Sequence, residues 1–291
     1  MGPRDLLTIS FKTGAMITRN LFLTLILCIG ASVGRADTLK IFGRDFNKSV
    51  AVWGSAYAPP GVTESARENA KFELYIRPEI ELYRFNKKAV LVGYSLVTLI
   101  QNSQGFTYDN KVTFAAGLEL KYQLSKAVRL GVGAKWKIEH EFTTGIRRDR
   151  LIFTADASVW KTWKPKWMVK SLPQGSELIL SGWSNYRFPA SLHEFERDNG
   201  QWQGALKLAV AMPIKQTQIK FAPFLSIKAK ADHKGRSYNN TLEPAFGLDV
   251  KFPIKDGGSI AVGVKTAYQR RHATGTSEHG NTAYVTWYKK F

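Results

Sequence analysis

Apolar and polar residues alternate with a period of two through segment after segment of this chain, and this pattern constrains the fold most. One face of residues 112–124 carries Val112, Phe114, Ala116, Leu118, Leu120, Tyr122 and Leu124, and the other carries Thr113, Ala115, Gly117, Glu119, Lys121 and Gln123. Successive side chains of a strand point to opposite faces, so this pattern indicates strands with one apolar side. No long stretch shows the 3.6-residue period of an amphipathic helix.

About twelve such strands are predicted, and most are long enough for a tilted strand to cross the hydrocarbon of a bilayer. They lie near residues 48–58, 70–85, 89–102, 111–124, 128–142, 151–163, 177–188, 201–212, 218–232, 241–253, 259–272 and 281–291. Pro78, Pro223 and Pro244 fall inside them and predict bulges, because proline lacks a ladder donor.

The predicted connections alternate between short turns and longer polar loops, as they do in transmembrane barrels. Short turns are expected at 86–88, 125–127, 213–217 and 255–258, and loops at 59–69, 103–110, 143–150, 189–200, 233–240 and 273–280. Residues 164–176 depart from this rule, since they are long but fall on the short-turn side. The sequence thus predicts an all-β fold, a transmembrane antiparallel up-and-down β-barrel of about 12 strands over residues 48–291. A secreted β-sandwich is the alternative.

The amino-terminal end reads as an export signal. Residues 21–30 form a short apolar run that follows Arg19, and a small-residue cleavage site ends at Ala36. Residues 1–36 are therefore predicted to be a signal peptide, with Met16 as an alternative start, and residues 37–47 an N-terminal segment. The single cysteine, Cys28, lies inside the signal, so no disulfide is expected in the mature chain.

The last strand ends on an aromatic residue, Phe291, with Ala283, Val285 and Trp287 at alternate positions before it. This ending resembles the closing strand of Gram-negative outer-membrane β-barrels. The resemblance implies that the protein lies in the bacterial outer membrane and contacts outer-membrane lipid and lipopolysaccharide. It also implies that the barrel-assembly machinery recognises the strand that ends at Phe291. Aromatic residues near the strand ends fit membrane interfaces; among them are Trp53, Tyr57, Tyr83, Trp160, Trp163, Trp183, Tyr186, Tyr268 and Trp287.

If the apolar faces point to lipid, the inward positions are small or charged. Twelve strands lined by Gly and Ala should leave a bore, because barrel diameter grows with strand number. The chain has 42 Lys and Arg against 23 Asp and Glu, a net charge of +19. The early strands look balanced in charge, whereas the late strands look strongly basic. The predicted ligand-binding residues of the lumen are Lys135, Lys137, Lys207, Lys220, Lys228, Lys230, Lys251, Lys265 and Arg271.

A bore lined by bases enriches anions, and rings of Lys or Arg select them. The sequence therefore predicts a channel for anionic small solutes. Strand number, basic bore and terminal Phe resemble the narrow twelve-stranded porins for acidic sugars, the oligogalacturonate and sialic acid channels. This resemblance implies acidic oligosaccharides, or an exported polysaccharide, as the solute. The alternative is that the charges pair across the lumen and close it, which would make the barrel a non-conducting structural or adhesive protein.

An outer-membrane lipid-modifying hydrolase is the enzymatic alternative, and the sequence gives it little support. His140 is expected on the lipid side near the outer rim, but its expected neighbours are Phe114, Leu151 and Phe153, with no serine. No catalytic residue, cofactor or metal site is predicted. Nucleic acid is not an expected partner, since the bases are spread over many strands instead of forming one patch. No internal repeat beyond the hairpin is detected.

Overall fold

The protein, described here as a computed structural model, is defined for residues 38–41, 44–59, 69–103, 110–189, 199–214, 217–236, 239–255 and 257–291. The predicted signal peptide lies outside these residues. The strands are β1 Thr38–Ile41, β2 Arg44–Ala58, β3 Lys71–Arg84, β4 Ala89–Asn102, β5 Lys111–Gln123, β6 Val128–Glu141, β7 Arg147–Trp163, β8 Glu177–Arg187, β9 Gln201–Pro213, β10 Lys220–Asp232, β11 Thr241–Ile254, β12 Gly258–Arg271 and β13 Ser277–Lys290. A short helix, α1 Lys166–Ser171, follows β7.

Strands β2 to β13 form one closed antiparallel barrel of twelve strands, which confirms the predicted fold class. Each strand pairs with its neighbours in the chain, and β13 closes the barrel against β2 from Ala283↔Ala58 to Lys290↔Ala51. The backbone of Phe291 extends this seam through two hydrogen bonds with Val50, of 2.8 and 3.1 Å. Within the described residues, the short strand β1 pairs with the start of β2, from Thr38↔Asn47 to Ile41↔Arg44, so the described part of the predicted segment 37–47 is antiparallel strand.

The alternation of the sequence places apolar side chains on the outer surface. Many large ones are exposed there, including Leu118, Leu120, Leu130, Val132, Phe153, Leu206, Leu208, Leu225, Ile227, Phe246, Val262 and Val264. A soluble protein rarely exposes so continuous an apolar surface. This belt is the surface that a strand-built protein presents to lipid.

Two predicted loops are largely strand. β7 begins at Arg147 and β13 at Ser277, so the predicted loops 143–150 and 273–280 contract to tight turns. Gly145 and Gly275 allow this, because each adopts a left-handed backbone with φ of 67° that other residues enter at a cost. The polarity of these residues had suggested loops, but strands that extend beyond a membrane can be polar on both faces.

The prolines do not produce the predicted bulges. β3 keeps its register with β4 across Pro78, from Ile76↔Val97 to Glu79↔Tyr94, although the pairs between are interrupted. The register shift in this pair of strands lies between Glu81 and Tyr83. Proline therefore removes a ladder bond here without adding a residue to the strand.

The long connection between β7 and β8 carries helix α1. Met168 of this helix is 1% exposed, whereas Trp167 is 59% exposed. Within the described residues, no helix is both long and apolar enough to cross a membrane.

Candidate functional site

Two cavities occupy the barrel lumen, and basic side chains from alternate strand positions line both. The first cavity, of about 840 Å³, is lined by residues of β2–β9 and reaches the end of the barrel that carries the longer loops. The second cavity, of about 800 Å³, is lined by residues of β5–β13 together with β2 and β3. Small inward residues such as Ala115 and Ala205 leave this space open.

Seven bases and two carboxylates line the first cavity. They are Lys111, Lys135, Lys137, Arg148, Arg150, Arg187 and Arg236, with Glu139 and Glu141. Glu139 accepts a hydrogen bond from Lys137 at 2.6 Å and lies 3.2 Å from Lys111, and Glu141 pairs with Arg148 at 2.6 Å. Among the residues that line this cavity, bases therefore outnumber carboxylates, which favours a positive field inside it.

The second cavity contains three of the predicted lysines, Lys207, Lys228 and Lys265. Lys265 pairs with Glu243 at 2.8 Å. Lys207 pairs with Asp249 at 2.6 Å and lies 3.6 Å from the centre of the Phe224 ring. Two of the three predicted lysines in this cavity therefore already have a carboxylate partner.

Asp249 is the most buried of these carboxylates, at 2% exposure. Besides Lys207, it accepts a hydrogen bond of 2.5 Å from the Tyr284 hydroxyl. This cluster joins β9, β11 and β13 and lies in the wall, so Lys207 has a structural role in addition to any contact with solute.

The opposite wall carries a comparable network, as its balanced sequence predicted. Arg77 pairs with Glu119 and, at 2.7 Å, with Glu79, which also accepts hydrogen bonds from Lys121 at 2.6 Å. The Arg77 guanidinium lies 4.0 Å from the centre of the Tyr94 ring. These side chains join the neighbouring strands β3, β4 and β5 on the inner side of one wall.

The other predicted bases are distributed along the bore. Lys220 pairs with Glu177 at 2.9 Å, and Arg271 lies 3.8 Å from Glu278. Among the described residues, no ion pair or hydrogen bond is made by Lys135, Lys228, Lys230 or Lys251. These four are the predicted bases that remain available to an anion.

The predicted ligand-binding residues omit five bases of the first cavity, namely Lys111, Arg148, Arg150, Arg187 and Arg236. Arg148 and Arg150 had been assigned to a loop, although their spacing of two matches the inward positions of β7, which continue to Ile152. That spacing was the available signal. As a result, the wall that looked balanced also borders a cavity with an excess of bases.

Four aromatic residues predicted to lie at the membrane interface instead line the lumen. Trp53 stacks on Tyr75 in the first cavity, with ring centres 5.2 Å apart. Tyr57, Trp160 and Trp183 line the second cavity. The period of two decides this: Tyr57 pairs with the inward Lys71, Trp53 lies two residues from the inward Ser55, and Trp160 and Trp183 pair with Ser181 and Ser158.

His140 lies on the outer surface near the longer loops, as predicted. Its register partners are Val112 and Arg147, not the predicted phenylalanines and leucine, and its ring lies 6.0 Å from that of Phe142. Neither partner offers a nucleophile. In the described part of the chain, no group of three or more His, Cys, Asp or Glu residues is placed to hold a metal.

Neither a family model nor a curated protein matches this sequence. Among solved structures, LpxR from Salmonella typhimurium is similar at 7% identity and a TM-score of 0.42, over 84% of this chain and 99% of that one. An outer membrane channel from Pseudomonas putida F1 is similar at 10% identity and 0.44, over 89% and 98%. The KdgM porin is similar at 11% identity and 0.36, over 82% and 98%. The likeness concerns the barrel fold alone, and it fits the loose resemblance to outer-membrane porins.

Proposed function

We propose that this protein is an outer-membrane channel that passes anionic small solutes through a basic lumen. The observation that supports the proposal is the excess of bases over carboxylates in both cavities. Lys228 and Lys230 carry particular weight, since both lie on the inward face of β10 and neither has an ion-pair partner within the described residues. Low-dielectric walls focus the field of such charges along a bore.

Acidic oligosaccharides, imported or exported, are the solute class that we propose to test first. Carboxylates spaced along a sugar chain would meet bases in both cavities. The inward aromatic rings, such as the Trp53–Tyr75 stack, offer flat apolar surfaces beside those bases.

The apolar outer belt supports a position in the outer membrane, in contact with lipid and lipopolysaccharide. The exposed Phe291 at the seam suits recognition by the assembly machinery.

The deciding experiment measures single-channel conductance and reversal potential of the refolded protein in a planar bilayer under a salt gradient. We expect a stable conductance with a reversal potential that favours anions, and block by an acidic oligosaccharide. No conductance would mean a closed lumen and would leave a structural or adhesive barrel as the function.

Charge reversal inside the bore provides the internal control. Lys228→Glu with Lys265→Glu should move the reversal potential toward cation preference, because both side chains face the second cavity. Lys87→Glu, in the exposed turn between β3 and β4, should leave it unchanged. Equal reversal potentials in all three proteins would show that these lysines do not line the path.

A further inference from the structure

Two clusters on opposite walls of the lumen have the same design. In the first, Arg77 lies against the ring of Tyr94 and pairs with Glu119. In the second, the corresponding residues are Lys207, Phe224 and Asp249. Each member of the second cluster follows its counterpart by 130 positions, since 207 − 77, 224 − 94 and 249 − 119 are equal. A cation, an aromatic ring and a carboxylate thus recur at one fixed offset.

The turns and loop ends repeat at the same offset. The tight turns after β6 and β12 place glycines 145 and 275 at an identical φ of 67°. The side-chain oxygen of Asn110 accepts a hydrogen bond of 3.1 Å from the backbone of Asn102, and that of Asn240 accepts one of 3.3 Å from Asp232. These are local features of different hairpins, so their agreement is independent of the lumen clusters.

Strand pairing also repeats, including the two seams between the halves of the barrel. Thr154↔Arg187 joins β7 to β8, and the pair that corresponds to it at the same offset, Tyr284↔Tyr57, joins β13 to β2. Within the halves, Lys111↔Glu141 corresponds to Thr241↔Arg271. One exception is the register shift between β3 and β4 after Glu81, because the corresponding strands, β9 and β10, pair without a shift.

The amino-acid sequence also repeats at the offset of 130 positions. Identical residues separated by 130 positions include Trp53 and Trp183, Asn69 and Asn199, Gly117 and Gly247, Lys121 and Lys251, Gly133 and Gly263, and Lys135 and Lys265. The expectation that the chain has no repeat beyond the hairpin was therefore wrong. The identities are too sparse to stand out against the alternation that every strand shares.

We infer that the barrel is a tandem duplication of one six-stranded unit, residues 44–161 followed by residues 174–291. The connection at 162–173 joins the copies, which explains why it alone departs from the short turns at its end of the barrel. Phe291 corresponds to Lys161, so the second copy ends where the first passes into this connection.

The duplication divides the bases of the lumen into two groups: bases that occur at corresponding positions in both copies, and bases that occur in one copy only. The shared cations Arg77 and Lys207 hold the wall in both halves. Lys228 and Lys230 belong to the second copy alone, because their counterparts are Thr98 and Ile100. Lys137 and Arg148 are also specific to one copy, but each pairs with a carboxylate. In an anion channel, an assignment that rests on the proposed function, Lys228 and Lys230 contribute to the solute preference.

Interchange of the units is the direct test of duplication. In one chain residues 44–161 are replaced by 174–291, and in a second chain residues 174–291 are replaced by 44–161, each with residues 162–173 as the connection. We expect at least one to form a closed barrel with heat-modifiable gel mobility, because the two seams have equivalent registers. An out-of-frame control uses residues 89–213, which span β4–β9, in place of 44–161. Failure of both in-frame chains, or equal folding of the control, counts against duplication.

A triple exchange tests the same point with a smaller change. R77K/Y94F/E119D places the second cluster at the first site and should keep the gel mobility and unfolding midpoint of the parent. R77F/Y94D/E119K introduces the same three residue types in the wrong order and should lose both. If the two variants behave alike, the sites are not equivalent.

The copy-specific lysines are tested by a transfer between copies. K228T/K230I should move the reversal potential away from anion preference, and T98K/I100K should move it further toward anions. Unchanged potentials in both variants would overturn the solute assignment. A parent that does not conduct would refute the proposed function, while the gel and unfolding assays would still decide the duplication.

Discussion

At the scale of single residues, Asp249 shows how charge stabilises this wall. It is almost fully buried, and it accepts hydrogen bonds from Lys207 and Tyr284 on two other strands. A buried ion pair is costly to break, because the remaining charge loses its compensation. The free energy of unfolding thus depends on contacts among three strands, β9, β11 and β13, and not on any one strand.

Asp249→Leu should lower the free energy of unfolding by about 3–5 kcal/mol, as the loss of one partner from a buried pair does. Urea unfolding of the refolded protein in lipid vesicles measures this. Asp249→Asn is the control, since it keeps an acceptor for Tyr284 and should lose less. Equal unfolding midpoints for the parent and the leucine variant would contradict the structural role.

His140→Ala should have no effect on lipid hydrolysis, and neither form should hydrolyse lipid. The reason is that the register partners of His140, Val112 and Arg147, supply no nucleophile for it to activate. Release of fatty acid from radiolabelled lipopolysaccharide and phospholipid is the measurement. Activity in the parent that disappears in the variant would restore the enzyme hypothesis.

At the scale of strands, close backbone approach depends on glycines, of which Gly117 faces the lumen and Gly93 the outer surface. A Cβ on Gly117 would lie 2.3 Å from the carbonyl oxygen of Ala134 in the neighbouring strand β6. On Gly93 it would lie 3.2 Å from the movable end of Leu82. The two positions have the same residue type but different freedom to accept a methyl group.

Gly117→Ala should therefore destabilise the barrel by about 1–3 kcal/mol, the usual range for overpacking. Gly93→Ala should cost clearly less, because Leu82 can change rotamer. Unfolding midpoints of both variants in the same vesicles make the comparison. A larger loss at Gly93 would mean that β5 and β6 adjust more easily than the structure indicates.

The strands were largely predictable from sequence, because an apolar outer face and a polar inner face impose a period of two on the residues of each strand. Their ends were less so. β7 was predicted to begin near residue 151, yet it begins at Arg147, since polar residues on both faces hide a strand that continues beyond the apolar belt. Gly145, which forms the tight turn before β7, was the residue that could have indicated the earlier start of this strand.

At the scale of the whole molecule, an apolar exterior surrounds a basic interior. If the lumen selects anions as proposed, this preference should be strongest at low salt, because the Debye length is about 30 Å at 0.01 M and about 3 Å at 1 M. We expect the ratio of anion to cation permeability to fall as the KCl concentration rises across this range. Reversal potentials at a constant concentration ratio measure it, and a constant permeability ratio would point to size as the selective property.

The basic character of the lumen was predictable from sequence, but its pairing was not. Lys207 and Asp249 lie 42 positions apart and meet only because β9, β10 and β11 are neighbours with this register. Without register, a paired lysine and an available one such as Lys228 look the same. The sequence therefore predicts how many bases face the lumen better than which of them can meet a solute.

The equivalence of the two seams also bears on descent. In a barrel whose two halves began as copies, substitutions can accumulate in one half while the other half keeps the contacts that close the barrel for membrane insertion. Among related sequences, the clusters that contain Arg77 and Lys207 should then be conserved in both halves. Positions where only one half carries a base should vary more. Preference for a new solute could arise in such a lineage by a few substitutions in one half.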